Sequence, residues 1–224
     1  MPRLRPRNED QATTKVDLHE LTPGLMPFLG QAAYVQLVLF ENIGRAIACA
    51  PSTDAKSELS RVASISLEKH HALVAEIIAG DGVPSDVMEP YTGRIDEFQR
   101  RTHGADWFET LVTCFVTAGF LDDFFARLAG GLPDAGERIA SILNADAADQ
   151  VIVDELLVAI DENPRLASRL AMWGRRLVGD TMLVARQALT LSENQEKDEA
   201  RIEPVFTELI AAHTRRMDAL GLTA

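Results

Sequence analysis

The sequence predicts an all-α fold, an antiparallel bundle of long helices, and three observations carry that prediction. Apolar residues recur at three- and four-residue spacing through most of the chain. No run alternates apolar and polar with period two between turn residues, so no strand competes. Proline, glycine or cap residues stand where each helical pattern stops.

The elements follow in order. Residues 1–22 are polar and aperiodic and are expected to form a flexible N-terminal tail, leaving 23–222 as one helical-bundle domain. Pro27 suits a first helical turn, and from there to Ala50 the chain is apolar on nearly every face until Pro51 stops it; such a helix must be surrounded by neighbours. Ser52, Thr53 and Asp54 then offer cap oxygens. Leu59, Val62, Ala63, Ser66, His70, Leu73, Val74 and Ile77 keep helical spacing until Gly80, Asp81 and Gly82 end the second helix.

Residues 83–104 hold Pro84, Pro90, Gly93 and Gly104 and read as a crossover connection with a short helix from about Arg94 to Thr102. Asp106 can cap a third long helix, Trp107 to Ala129, closed by Gly130 and Gly131. Pro133 and Asp134 open a fourth, carrying Ile139, Ile142, Leu143, Val151, Val153, Leu156, Leu157 and Ile160, which Asn163 and Pro164 break. A fifth runs from Pro164 to about Leu191. The polar stretch Ser192 to Arg201 precedes a sixth, from Glu203 and Pro204 to Leu220.

Composition restricts the partners. The 224 residues carry 34 acidic against 22 basic side chains, a net charge of −12, which opposes binding that depends on releasing counterions from phosphates. Nucleic acid and anionic membrane are therefore disfavoured, and the basic pairs Arg100-Arg101, Arg175-Arg176 and Arg215-Arg216 read as solvated helix surface. The most apolar segment, Phe28 to Ala50, is interrupted by Gln31, Gln36, Glu41, Asn42 and Arg45, too many polar groups for a hydrocarbon interior. No apolar stretch of the secretory kind follows the basic residues Arg3, Arg5 and Arg7, and Cys49 and Cys114 lie in apolar helical sequence as free thiols would in a reducing compartment. A cytoplasmic location is expected, with a homodimer as one way to cover the first helix.

The chemistry available to such a bundle can be searched residue by residue. A carboxylate-bridged di-iron centre usually takes a Glu from each of two helices and a Glu-x-x-His pair from each of the other two, because i and i+3 side chains share a face. The five histidines are His19, His70, His71, His103 and His213, and only Glu68 with His71 makes that pair. No histidine occurs between residues 104 and 212. His213 shares a face with Phe206, Leu209, Ile210, Met217 and Leu220, where a hydrogen-bonded core imidazole is the expectation. Gln36, Glu41, Asp122, Asp123, Asp146, Asp149, Gln150 and Asp180 also fall inside apolar helical sequence. Arg127, Arg169, Arg175 or Arg176 would satisfy them if they face inward; otherwise they face water or an ion.

Three stretches resemble a known family: Gly30-Gln31-Ala32-Ala33-Tyr34; Ala105-Asp106-Trp107-Phe108-Glu109-Thr110-Leu111-Val112; and the run from Pro164 through Met172-Trp173-Gly174 to Asp180. They are similar to the actinobacterial ferritin-like proteins related to the tRNA 2-methylthio-N6-isopentenyladenosine hydroxylase, a di-iron monooxygenase, over roughly residues 25 to 190. The resemblance implies a ferritin-like antiparallel four-helix bundle with a short crossover helix and additional C-terminal helices. It puts the first-helix carboxylate at Gln36, the third-helix carboxylate at Ala118, and the fourth-helix acid and histidine at Ala145 and Ala148; the second-helix pair meets Glu68 and His71 only after a small shift. Alanine cannot ligate. The expectation is therefore a metal-free, degenerate relative of the di-iron hydroxylases, with no cofactor and a binding or structural role. The alternative is a non-haem iron oxidoreductase whose atypical site draws on Glu41, Glu68, His71, Asp122, Asp123 and Asp149.

Overall fold

The computed structural model describes residues 19–145 and 149–223, and within them every regular element is helical. A turn at His19–Leu21 leads into α1 (Leu25–Cys49), α2 (Thr53–Ala79), α3 (Pro84–Arg101), α4 (Trp107–Ala129), α5 (Gly136–Leu143), α6 (Asp149–Glu162), α7 (Pro164–Gln187) and α8 (Gln195–Ala219). Among the described residues no helix is long and apolar enough to cross a membrane.

The helices form two quartets that share one pair. α1 and α2 lie antiparallel, α4 packs beside α1, and α5 with α6 together take the fourth position, touching α2 on one side and α4 on the other. On the opposite flank α3 packs on α1 and on α7, α7 packs on α4, and α8 covers α4 and α7. The close approach of α1 and α3 depends on Gly30, where a Cβ would come within 2.2 Å of the Val87 carbonyl oxygen.

Two apolar clusters fill the interior at opposite ends. One gathers Phe28, Leu29, Phe120, Phe124, Phe125, Ile139 and Leu209; the other gathers Ile43, Leu59, Leu111, Phe115, Leu156, Leu170 and Met217. Each such side chain contributes roughly 1.5–3 kcal/mol when fully buried. Between the clusters the helices present polar groups: Ser66, Lys69 and His70 on α2, Thr117 on α4, Thr181 on α7 and His213 on α8, all buried.

Several boundaries depart from expectation for visible reasons. Packed structure begins before Pro23, because Leu21 is buried and the Thr22 hydroxyl donates to the Leu128 carbonyl; residues 1–18 of the expected tail lie outside the described residues. The crossover helix is about twice as long as predicted. Pro84 starts it and Pro90 sits on its exposed face, where the carbonyl left without an N–H partner can meet water. In place of the expected fourth helix the described residues show two, α5 ending at Leu143 and α6 starting at Asp149, and the sequence 144–150 carries no large apolar side chain. The last helix begins eight residues before Glu203 because Asn194 caps it by accepting from the Lys197 N–H. The buried Asp198 also accepts from the Ser192 N–H and hydroxyl, so this polar stretch is helix. Cys49 is exposed, whereas Cys114 is buried and its thiol is pushed up to about 12 by that burial.

Candidate functional site

The phase of α2 decides which of its polar side chains reach the interior. Ser52 fixes the start of the helix by accepting from the Ala55 N–H at 3.0 Å, and the buried stripe then runs through Leu59, Val62, Ala63, Ser66, Lys69, His70, Leu73 and Ile77. Glu68 and His71 fall on the solvent side. The inward pair at i, i+3 is thus Ser66 with Lys69, one hydroxyl and one ammonium, in the place where a chelating carboxylate and imidazole would stand.

Lys69 crosses the bundle to α4. Its ammonium lies 2.7 Å from Asp122 Oδ2, and the Gln36 side-chain amide of α1 donates to Asp122 Oδ1 at 2.6 Å. Only 4% of Lys69 and 1% of Gln36 is exposed, so neither can rely on water. Charges removed from water to this degree persist only when paired. Burial pushes the Asp122 carboxyl above its ordinary value, against the pull of the Lys69 ammonium and the two hydrogen bonds. Gln36 Oε1 has no hydrogen-bond partner among the described residues. His70 is committed elsewhere, its Nδ1 lying 2.8 Å from the Ala33 carbonyl oxygen, which that ring nitrogen meets as a donor.

The neighbouring carboxylate faces the other way. Asp123 meets Arg216 of α8 at 2.8 Å, and the guanidinium lies directly over Gly119, where a Cβ would stand 2.2 Å from Nε. Arg216 is therefore an internal tether rather than solvated surface. One turn earlier His213 is buried with neither ring nitrogen bonded among the described residues, in place of the expected hydrogen-bonded imidazole. Burial, then the charge of Arg216, lowers its pKa from the ordinary 6.5.

The remaining residues singled out from sequence are scattered. Glu41 is exposed and accepts from Gln99 at 3.2 Å. Glu68 stands on the edge of a groove of about 410 Å³ between α2 and α5, lined by Ile65, Glu68, Lys69, Ala72, Ile142 and Ala145. Asp180 pairs with Arg101 at 2.6 Å, and Gln150 donates to Asp154. The arginines expected to serve the interior acids do other work: Arg127 meets Glu208, and Arg169 meets Asp106 and Glu109. Asp146 and Ala148 lie outside the described residues, as does the side chain of Asp149. Glu41, Glu68, His71, Asp122 and Asp123 are not brought together, and among the described residues no three His, Cys, Asp or Glu side chains are placed to hold a metal ion.

A pair of iron ions therefore does not fit the donors at this level of the bundle. Gln36, Ser66, Lys69 and Asp122 offer one carboxylate, and an ammonium already occupies the side of it that a cation would approach. The signal that sequence reasoning missed was Lys69, one position from the conspicuous Glu68 and two from His71.

The stretches that carried the family resemblance prove to be joints between helices. Gln31 accepts from Arg94 and Tyr34 donates to Asp96 at 2.6 Å, which pins α3 to α1. Asp106 caps α4, and Trp173 donates to Thr113 Oγ1 at 2.9 Å, which pins α7 to α4. A family model described as "Ferritin-like domain, actinomycetes" matches residues 21–197. No curated protein matches the chain.

Proposed function

The chain belongs to that actinomycete family of ferritin-like domains, and we propose that it is a metal-free member that keeps the bundle for a binding or structural role. One observation carries the reading. The Lys69 ammonium sits on Asp122 inside the quartet of α1, α2, α4 and α5/α6, supplying from a side chain the positive charge that metal ions supply in di-iron relatives. A lysine so placed would have to leave before a cation could approach the carboxylate. The resemblance to the tRNA hydroxylase then concerns the helix joints, and the net charge of −12 weighs against tRNA as a substrate. We place the protein in the cytoplasm.

The competing reading is a non-haem iron oxidoreductase that gathers Glu41, Glu68, His71, Asp122, Asp123 and Asp149 around an atypical centre. Elemental analysis of protein purified from an iron-replete host separates the two. The metal-free reading expects iron well below one equivalent per chain, unchanged when Glu68 and His71 are both replaced by alanine. Stoichiometric iron that disappears in that double variant overturns it.

A further inference from the structure

We propose that the outer face of the α7–α8 hairpin is a self-complementary surface on which two copies of this chain pair about a twofold axis. α1 packs on α2, α3 and α4 of its own chain, and of its large apolar side chains only Leu25 is exposed, so the first helix needs no second copy to cover it. α7 and α8 instead leave large apolar side chains outside: Met172 is 68% exposed, Leu183 52% and Ile210 40%.

This face holds a protrusion and a recess of matching character. Met182, Leu183, Ile202, Phe206 and Ile210 line a largely apolar groove of about 380 Å³ between α7 and α8. Met172 stands eleven residues before Leu183, about three helical turns, so the two project from one side of α7. Between them lies Gly179, exposed and with no side chain to hold a facing helix away. A twofold axis through the middle of this stripe sets α7 of a second copy antiparallel to the first. Met172 of each copy then faces the groove beside Leu183 of the other. Both contacts form together, so the pairing closes at two chains.

The charges follow the same symmetry. At the groove end Glu203 is exposed and has no basic partner among the described residues, while Glu199 is taken by Arg186. At the Met172 end the Arg175 guanidinium meets, among the described residues, an uncharged acceptor, the Thr223 carbonyl at 3.3 Å. The rotation that seats Met172 carries Arg175 toward Glu203 of the second copy. A face of one sign would repel its own image, whereas this one sets opposite signs on opposite sides of the axis. Its size suffices as well. A hairpin about 36 Å long and about 20 Å wide offers roughly 700 Å² per copy, close to the ~800 Å² per partner of a standard stable interface.

Sedimentation equilibrium of the full chain over a range of concentrations tests the pairing, which does not depend on metal content. The expected mass is twice the 24.6 kDa of one chain. Met172→Glu and Leu183→Glu, both at exposed positions, should each weaken association at least about tenfold with helical content unchanged. Arg175→Glu and Glu203→Arg should each weaken it, and the double variant Arg175→Glu/Glu203→Arg should restore it, because the exchanged charges again meet opposite signs. The proposal is overturned if the chain stays single at every concentration, if either Met172→Glu or Leu183→Glu dimerises as the wild type does, or if the double charge variant is no tighter than the single ones. A full chain that stays single while a variant lacking residues 1–18 dimerises would give this face to that segment, and overturns the proposal equally.

Discussion

Asp122 and Asp123 are adjacent on α4 and chemically identical, yet they serve two regions of different character. Asp122 points into the four-helix interior and is matched by a lysine that is 4% exposed; Asp123 points toward α8 and is matched by Arg216, whose side chain is 19% exposed. The first pair keeps little contact with water, 4% of the Lys69 side chain and 13% of Asp122, and rests mainly on its partners for hydrogen bonds. The second keeps access to water on one side and holds a helix against the bundle. What separates them is the roughly 100° turn between successive helical residues, which sends one side chain to the core and the next to the covering layer.

The largest test of that contrast is to remove one partner from the interior pair. Lys69→Met leaves Asp122 buried without a counter-charge, and we expect a loss of about 3–5 kcal/mol in urea unfolding, with the double variant Lys69→Met/Asp122→Leu recovering most of it. A small effect for the single variant would mean that water reaches Asp122. At the α8 joint the perturbation is steric. Gly119→Ala makes the Arg216 guanidinium shift from its seat over the helix; because that group ends a flexible side chain and alanine favours a helix interior over glycine by about 1 kcal/mol, the net cost should stay below about 1 kcal/mol, and Arg216→Met should remove it in the double variant.

The smallest expected effect is a pH slope. His213 is held neutral in the folded protein, with a pKa below the ordinary 6.5, so the unfolded chain binds the proton more readily. Its contribution to stability is therefore complete above about 6.5 and is lost as the pH falls below that value. His213→Leu should flatten the fall in unfolding free energy between pH 6.5 and the folded pKa while leaving the neutral-pH unfolding cooperative. An unchanged slope in that variant would assign the titration to another group.

Legibility from sequence differed sharply between the scaffold and the site. Periodicity located the helices and Asp106 announced its own cap, because these signals act within one turn of the chain. Sequence also drew attention to Gln36 and Asp122 as polar residues in apolar surroundings, and both meet beside Lys69. It missed Lys69, because a lysine amid charged neighbours reads as surface, and the facing of α2 turns Lys69 and His70 inward while their sequence neighbours Glu68 and His71 face out.

By itself, then, the sequence determined the all-α class, the long central helices and the placing of too few imidazoles for the usual pair of irons, since each depends on residue type and local spacing. Tertiary structure alone decided which face of α2 turns inward, that the fourth bundle helix divides into α5 and α6, and that one lysine meets one aspartate 53 residues away. Helix phase relative to a neighbour is set by the summed packing of two whole apolar faces, and no local pattern around Lys69 carries that sum.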